Sequence, residues 1–371
     1  MPRKLVTVRH VSAVTPIPRA DRIEAATVDG WTCVVAVNEF KPGDRGLYFE
    51  IDSLVPGSDP RFASLVMKVV GPDGPTSVPD IRIQTRKVRG VVSQGLLMPL
   101  SKFPEVVSKL DTISPDNLRD EGFEDILNVR KYEKPTTPTP QNQGLSTTPL
   151  PDFPIFVLKT DQERVQNLPD VFDVHGSEIF QESTKMDGSS MTVFHLNRSS
   201  PFYETLPAEI QDDGVGVCSR NRILIENHPR SPPLFYATAR ALVLHKTLAK
   251  IGRNVAIQGE LCGSSIQSNF EGFAPGTHSF FLFAVYDIDE QRYLPPREVH
   301  ETWAPRLGVT HVPVHGYRPL SEVGSAVADL VALAEGKGVN GRKREGIVFK
   351  REDGLFSFKA ISNSYLLKHG E

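Results

Sequence analysis

A chain of 371 residues is long enough for two domains of ordinary size. With 39% hydrophobic residues, 23% charged residues and a formal net charge of −3, it has a globular composition and no global pull towards polyanions. Any nucleic-acid contact must therefore come from local patches. Cys33, Cys218 and Cys262 are too few and too scattered for a disulfide framework or a zinc site, which points to a reducing compartment, most simply the cytoplasm. The opening MPRKLVTVRH lacks the apolar core of a secretory signal, and no apolar run is long enough to span a membrane.

From Lys4 to Leu100 the text reads as short β segments between turns: LVTVRHVSAV, a hairpin around Asp29-Gly30 in ATVDGWTCVVAV, GLYFEI after the turn Lys41-Pro42-Gly43-Asp44, then IRIQTRKVRG and QGLLMPL. Such spacing predicts a small β-barrel or sandwich, and a five-stranded OB barrel fits. Residues 134–154, KPTTPTPQNQGLSTTPLPDFP, are rich in Pro and Thr and have no periodicity, so they read as a linker. The expected bounds are therefore 1–133 for the first module, 134–154 for the linker and 155–371 for a second domain. In that second domain a helix is expected from Pro232 to Ile251, stopped by Gly252, and another from a Ser321 N-cap to Gly336. The β runs NVAIQGEL, FFLFAVYDI, REGIVFK and GLFSFKA complete an α+β domain of mixed sheets with flanking helices. No internal repeat, P-loop, GxGxxG or HExxH is present.

Thr184-Lys185-Met186-Asp187-Gly188 lies between two β-like runs, with Gly188 permitting a tight turn and close approach of a nucleotide to the backbone. A lysine presented there is able to attack the α-phosphate of ATP and form lysyl-AMP. Taken alone, KxDG is a common turn sequence. Its companions change the reading: Ser219-Arg220-Asn221 ends a strand-like run, Glu260 stands between two glycines in IQGELCG, and Tyr286 precedes Asp287 in FLFAVYDI. Glu345 opens EGIVFK, and Lys359 follows in FSFKA.

In this order the segments resemble the six motifs of the covalent nucleotidyltransferase superfamily, which comprises DNA ligases, RNA ligases and mRNA capping enzymes. The resemblance implies Lys185 as nucleophile and Lys359 on the α-phosphate. It implies Glu345 on a largely hydrated Mg²⁺ (or Mn²⁺), Glu260 on the ribose hydroxyls and Tyr286 stacked on adenine. Arg220 would clamp a phosphate, Asp187 would help arrange the reacting ends, and Thr184 and Gly188 would border the nucleotide. A lysine of pKa about 10.4 must be made neutral to attack, and Lys359 and the metal are the expected cations to lower it. Each residue also has a plain structural reading, as strand carboxylate, core aromatic or surface lysine, and the functional reading rests on the set.

The N-terminal segments IPRADRIEAATVDGW and FKPGDRGLYFEIDSLVP, with KTDQERVQN after the linker, are similar to the Deinococcus-type RNA ligases, in which an OB module precedes the ligase domain. That resemblance implies an ATP-dependent enzyme sealing a 3′-OH RNA end to a 5′-phosphate across a bridged nick, with no obligate protein partner. The branch of DNA ligases and guanylyltransferases is the nearest alternative, and a non-catalytic RNA-binding protein is the alternative from another class. The last motif departs from many RNA ligases, with Ile361 where a second lysine stands; Lys350 and Lys368 are the two candidates to replace it. In the first module Arg82, Arg86, Lys87 and Arg89 form a candidate strand-binding edge, against an equal reading as solvated strand charge. Trp31 and Tyr48 are expected in the core rather than on bases.

Overall fold

A computed structural model describes residues 4–65, 79–114, 118, 121–133 and 149–369. Residues 134–148, most of the segment read as a linker, lie outside the described residues. Over the described residues the chain forms two compact units. One is drawn from Met1–Pro135, Val165–Pro169 and Asn363–Glu371, the other from Thr136–Arg164 and Asp170–Ser362.

The first unit is built on a five-stranded antiparallel sheet in the order Trp31–Ala36, Ile23–Val28, Val6–Pro16, Arg45–Phe49, Leu96–Pro99. Val6–Pro16 pairs with Arg45–Phe49 through its first half and with Ile23–Val28 through its second. A register shift between Val11 and Ala13 marks where it passes from one neighbour to the other, as a bulge does when it bends a strand. This is the OB half-barrel. The hairpin at Asp29-Gly30 has the expected two-residue turn, with Val28 opposite Trp31 and Asp29 at φ 51°, the left-handed value that a primed turn demands. Trp31, Cys33 and Val35 alternate inward along their strand. Trp31 and Tyr48 are both fully buried, with ring centroids 6.0 Å apart, and both are core residues. The Trp31 indole N–H donates to Asn167 Oδ1 at 2.7 Å, and Asn167 Nδ2 donates to Glu50 at 2.7 Å, so a buried chain of polar groups is paired end to end.

The second unit holds two sheets. The five-stranded one runs Glu163–Arg164, Ser357–Ile361, Gly346–Arg351, Ile179–Lys185, Val314–Pro319. The seven-stranded one runs Ile223–Leu224, Val215–Cys218, Ser189–His195, Val255–Gly263, His278–Asp287, Arg292–Tyr293, with Thr310–His311 also paired to His278–Asp287. The chain passes from one sheet to the other through Met186-Asp187-Gly188. Both expected helices are interrupted. Pro233–Ala241 and Leu244–Ile251 are separated at Val243, which has φ 54°, and Phe235, Ala239, Leu244 and Leu248 all reach one core cluster as a result. Leu320–Val323 stops at extended Gly324, and Val327–Ala334 starts anew where the Asp329 carboxylate accepts from the N–H groups of Ser325 and Ala326. The cap is an aspartate in the first turn, in place of the expected Ser321.

Replacing Trp31 with Ala removes a buried indole and its hydrogen bond to Asn167. Chemical denaturation followed by first-unit probes should show a loss of about 3–5 kcal/mol; a loss below about 1 kcal/mol would contradict its place in the core.

Candidate active site

The Ile179–Lys185 strand pairs antiparallel with Gly346–Arg351, with Lys185 opposite Gly346, Ser183 opposite Val348 and Gln181 opposite Lys350. Gly346–Arg351 in turn pairs with Ser357–Ile361, with Val348 opposite Lys359. Residues directly opposite in a sheet share a face. One face of this sheet therefore carries Lys185, Lys350 and Lys359, and the parallel pairing of Arg164 with Lys359 adds a buried guanidinium beside them.

Glu345 precedes the Gly346–Arg351 strand and reaches Lys185, Oε2 to Nζ 3.0 Å, with the glutamate 7% exposed. Its backbone is fixed from the other side. The buried Arg344 guanidinium donates to the carbonyls of Leu333, Ala334 and Glu335 at the end of the Val327–Ala334 helix, where a cation also meets the negative end of the helix dipole. Arg344 Nη1 further donates to His315 Nε2 at 3.0 Å. Burial, then the Arg344 charge, holds His315 below its ordinary pKa, so the ring stays neutral and able to accept. Gly346 is obligatory for packing: a Cβ there would stand 2.2 Å from the Ala360 carbonyl oxygen.

The turn after Lys185 is held as tightly. Met186 is buried in a cluster with Cys262, Phe281 and Val312. Gly188 has no left-handed φ; it is required because a Cβ would meet the Leu261 carbonyl oxygen at 2.5 Å. Close approach, more than turn geometry, explains that glycine. Glu260 lies in the neighbouring sheet opposite Ser190. Burial, with Glu345 and Asp187 as like charges, outweighs the attraction of Lys185 and pushes Glu260 up to about 8.

Lys185 itself departs from the expectation of a lowered pKa. Burial pulls it down, but the carboxylates of Glu345, Glu260 and Asp187 outweigh burial and hold the amine above its ordinary value, firmly charged. Lys350, by contrast, is pushed down to about 7 by burial; its ammonium donates to the Phe283 carbonyl and lies 5.1 Å from the Phe283 ring centroid. Of the two candidates for the missing lysine, Lys350 shares the sheet face with Lys185 and Lys359, and Lys368 lies on the Asn363–His369 helix of the first unit.

Two further expectations need correction. Thr184 points to the opposite face from Lys185, is 3% exposed, and sets its hydroxyl 2.9 Å from His315 Nε2; its side chain supports Arg344 and does not border the lysines. Tyr286 is 1% exposed and packs edge-on against Tyr293 at 5.0 Å in a core cluster with Phe156 and Phe194. It pairs with Ala256, whereas Phe281 is the residue opposite Glu260, so Tyr286 sits too far along the strand to serve the same pocket. The half-buried aromatic bordering the lysine face is Phe283. Arg220 is 54% exposed and bonds Asp161 at 2.7 Å, beside a small cavity lined by Lys159, Ser190 and Gln258.

Among the described residues no group of three or more His, Cys, Asp or Glu is arranged to enclose a metal ion. The charge balance nevertheless suits a divalent cation that keeps most of its waters: Glu345, Glu260 and Asp187 act together on one lysine, and Glu260 is raised by burial and then by its like-charged neighbours.

A family model described as RNA ligase matches residues 178–361, and a model described as an OB-fold domain matches residues 5–100. Solved structures of Naegleria gruberi RNA ligase are 38% identical to this chain. A mutant without ligand has a TM-score of 0.81, covering 99% of this chain and 98% of that one. The form with pyrophosphate, and a mutant with ATP and Mn, each have a TM-score of 0.80 and cover 99% of both chains. No curated protein matches the chain. An OB module ahead of a two-sheet nucleotidyltransferase unit defines the class: an enzyme of the nucleotidyltransferase superfamily. Within it, the chain belongs to the RNA ligase family.

Gly188→Ala should lower stability by about 1–3 kcal/mol in urea or thermal denaturation, as overpacking against a backbone carbonyl does. An unchanged midpoint would mean that the turn relaxes at no cost.

Proposed function

We propose that this protein is an ATP-dependent RNA ligase that adenylates itself on Lys185, passes AMP to a 5′-phosphate RNA end, and seals that end to a 3′-OH across a bridged nick, in RNA repair. The observation that carries the reading is the placement of Lys185 on one sheet face with Lys350 and Lys359, its amine 3.0 Å from Glu345. The Naegleria gruberi enzyme of the same family, solved with ATP and Mn and with AMP and Mn, supports ATP and a divalent metal as its co-substrate and cofactor.

In the first step Lys185 Nζ forms a bond to the α-phosphorus while the bond from that phosphorus to the bridging oxygen breaks and pyrophosphate leaves. The amine must first lose its proton, and the structure identifies what opposes this: the carboxylates of Glu345, Glu260 and Asp187. Glu345 would hold a hydrated Mg²⁺ or Mn²⁺, which when bound would supply positive charge to the carboxylate and phosphate groups. Lys359 and Lys350, on the same face, neutralise charge on the phosphates, where catalysis is mostly positioning and electrostatics. Lys350 takes the place of the last motif's second lysine. Glu260 accepts from the ribose hydroxyls, Asp187 and Gly188 shape the turn at the reacting end, and Phe283 replaces Tyr286 as the flat surface offered to adenine. Arg220 clamps a phosphate of the nucleic-acid end on the exposed rim.

Residues 1–133 act as the strand-binding module, 134–154 as a connector, and 155–371 as the catalytic domain. Arg86, Lys87 and Arg89 are exposed on and beside the turn of a hairpin formed by Arg86–Val88 and Val91–Ser93, which suits contact with a phosphate backbone. Arg82 is less available, held by Asp52 at 2.6 Å and stacked 4.0 Å from the Tyr132 ring. Three free, buried cysteines suit a cytoplasmic setting, and no helix among the described residues is long and apolar enough to cross a membrane.

Incubation with α-labelled ATP and Mg²⁺ or Mn²⁺ should leave label on the protein through a denaturing gel, GTP should not, and Lys185→Ala should abolish it. Label from GTP alone, or label surviving in Lys185→Ala, would refute the reading. Chelation of the metal should stop labelling, and readdition of Mg²⁺ or Mn²⁺ should restore it; labelling indifferent to chelator would remove Glu345 from the role assigned here.

A further inference from the structure

Lys185 ends a strand of the five-stranded sheet, and Ser189 begins a strand of the seven-stranded one. The three residues between them, Met186, Asp187 and Gly188, therefore decide where the lysine amine stands relative to Glu260 in the second sheet. One loop, Ser264–Thr277, reaches all three. Phe273 packs against the cluster that holds Met186. Glu271 Oε1 accepts from the Asp187 N–H at 3.3 Å. Gln267 Nε2 donates to the Gly188 carbonyl.

The loop is itself shaped for this reach. Asn269 closes it by accepting from the Phe273 N–H at 2.8 Å and donating to the Phe273 carbonyl at 2.9 Å. Gln267 and Asn269 adopt φ 46° and 48°, a left-handed conformation that a glutamine takes up only where its surroundings over-determine it. Glu271 is 1% exposed, and Asn340 Nδ2 donates to its backbone carbonyl at 3.0 Å, tying the loop to the segment that leads into Arg344 and Glu345. Glu271 thus joins two segments: its buried carboxyl group is hydrogen-bonded to the backbone of Val339 as well as to the Asp187 N–H, linking the lysine's own turn to the chain ahead of Arg344 and Glu345.

We propose that the Ser264–Thr277 loop is a positioning clamp for the nucleophile turn, in which Glu271 and Gln267 fix the peptide groups of Asp187 and Gly188 and thereby aim the Lys185 amine. The proposal rests on Lys185 as nucleophile. Neither residue touches the reacting atoms. Their effect falls on the rate of self-nucleotidylation with bound nucleotide, because a displacement of about 1 Å in a reacting group costs on the order of 10²-fold.

The test is single-turnover labelling of the full chain with α-labelled ATP, with rate and apparent ATP affinity resolved, on Glu271→Ala, Glu271→Gln, Gln267→Ala and Lys185→Ala, alongside thermal melting. Glu271→Ala should slow labelling at saturating ATP by about 10²-fold while the apparent ATP affinity changes little. Glu271→Gln, which keeps an acceptor for the Asp187 N–H, should recover to within about tenfold of the unaltered protein, and Gln267→Ala should lose about tenfold. Should Glu271→Ala lose its cooperative melting transition, Glu271→Gln and Gln267→Ala decide the matter. Glu271→Ala labelling at the unaltered rate would overturn the clamp while leaving the ligase reading intact. So would Glu271→Gln being as slow as Glu271→Ala, or a loss confined to ATP affinity. Label retained by Lys185→Ala would overturn both.

Discussion

The antiparallel register between Ile179–Lys185 and Gly346–Arg351 is the constraint on which the site depends. It sets Lys185 across from Gly346, so that Glu345, one residue earlier, is delivered to the amine, while the same alternation sends Lys350 and Lys359 to the shared face. A slip of one residue would turn Lys185 to the other side of the sheet, where Thr184 and His315 now support Arg344. The register is held by contacts that tolerate little change: a glycine pressed against the Ala360 carbonyl, and a guanidinium seated in a helix C-terminus. Arg344 and Glu345 are adjacent in sequence and opposite in direction, one anchoring the strand in the helix C-terminus and the other reaching the Lys185 amine.

Charge, more than shape, gives the pocket its character. Glu345, Glu260 and Asp187 keep the Lys185 amine protonated, while burial, reinforced by like-charged neighbours, lifts Glu260 to about 8 and Glu271 to about 7. Such an arrangement is unfavourable by itself and suits a site meant to be completed by positive charge. Lys350 shows the reverse logic, a lysine brought down to about 7 by burial alone and stabilised against the Phe283 carbonyl and ring.

The first unit illustrates how a small barrel sheet is closed by local devices. A bulge lets the longest strand serve two neighbours, a primed turn joins the hairpin, and Trp31 is fixed by a hydrogen bond to Asn167. Asn167 comes from far along the chain, in a short segment that clusters with this unit. The interrupted helices of the second unit have a comparable cause: at Val243 the chain breaks so that both halves bury their apolar side in one core.

Much of this was legible in the chain itself. Turn chemistry and alternation marked the hairpin and the strands of the first unit, because a period of two and a two-residue turn are local properties. The order of Lys185, Glu260, Glu345 and Lys359 marked the nucleotidyltransferase unit. Tertiary structure alone decided the rest. Tyr286 looked like a base-stacking aromatic because its sequence neighbours suited a motif, but where it falls along the strand is set by cross-strand register, which puts Phe281 opposite Glu260 and Tyr286 in the core. The raised pKa of Lys185 depends chiefly on Glu345 and Glu260, which are distant in sequence and meet the lysine only in the folded chain. Glu271 and Gln267 carried no motif at all, since a side chain that holds a backbone N–H or carbonyl needs only the right place. The sequence determined which chemistry is available; the register of two sheets determined which side chains are close enough to take part, because charge interactions and hydrogen bonds act over a few ångströms of space and are blind to distance along the chain.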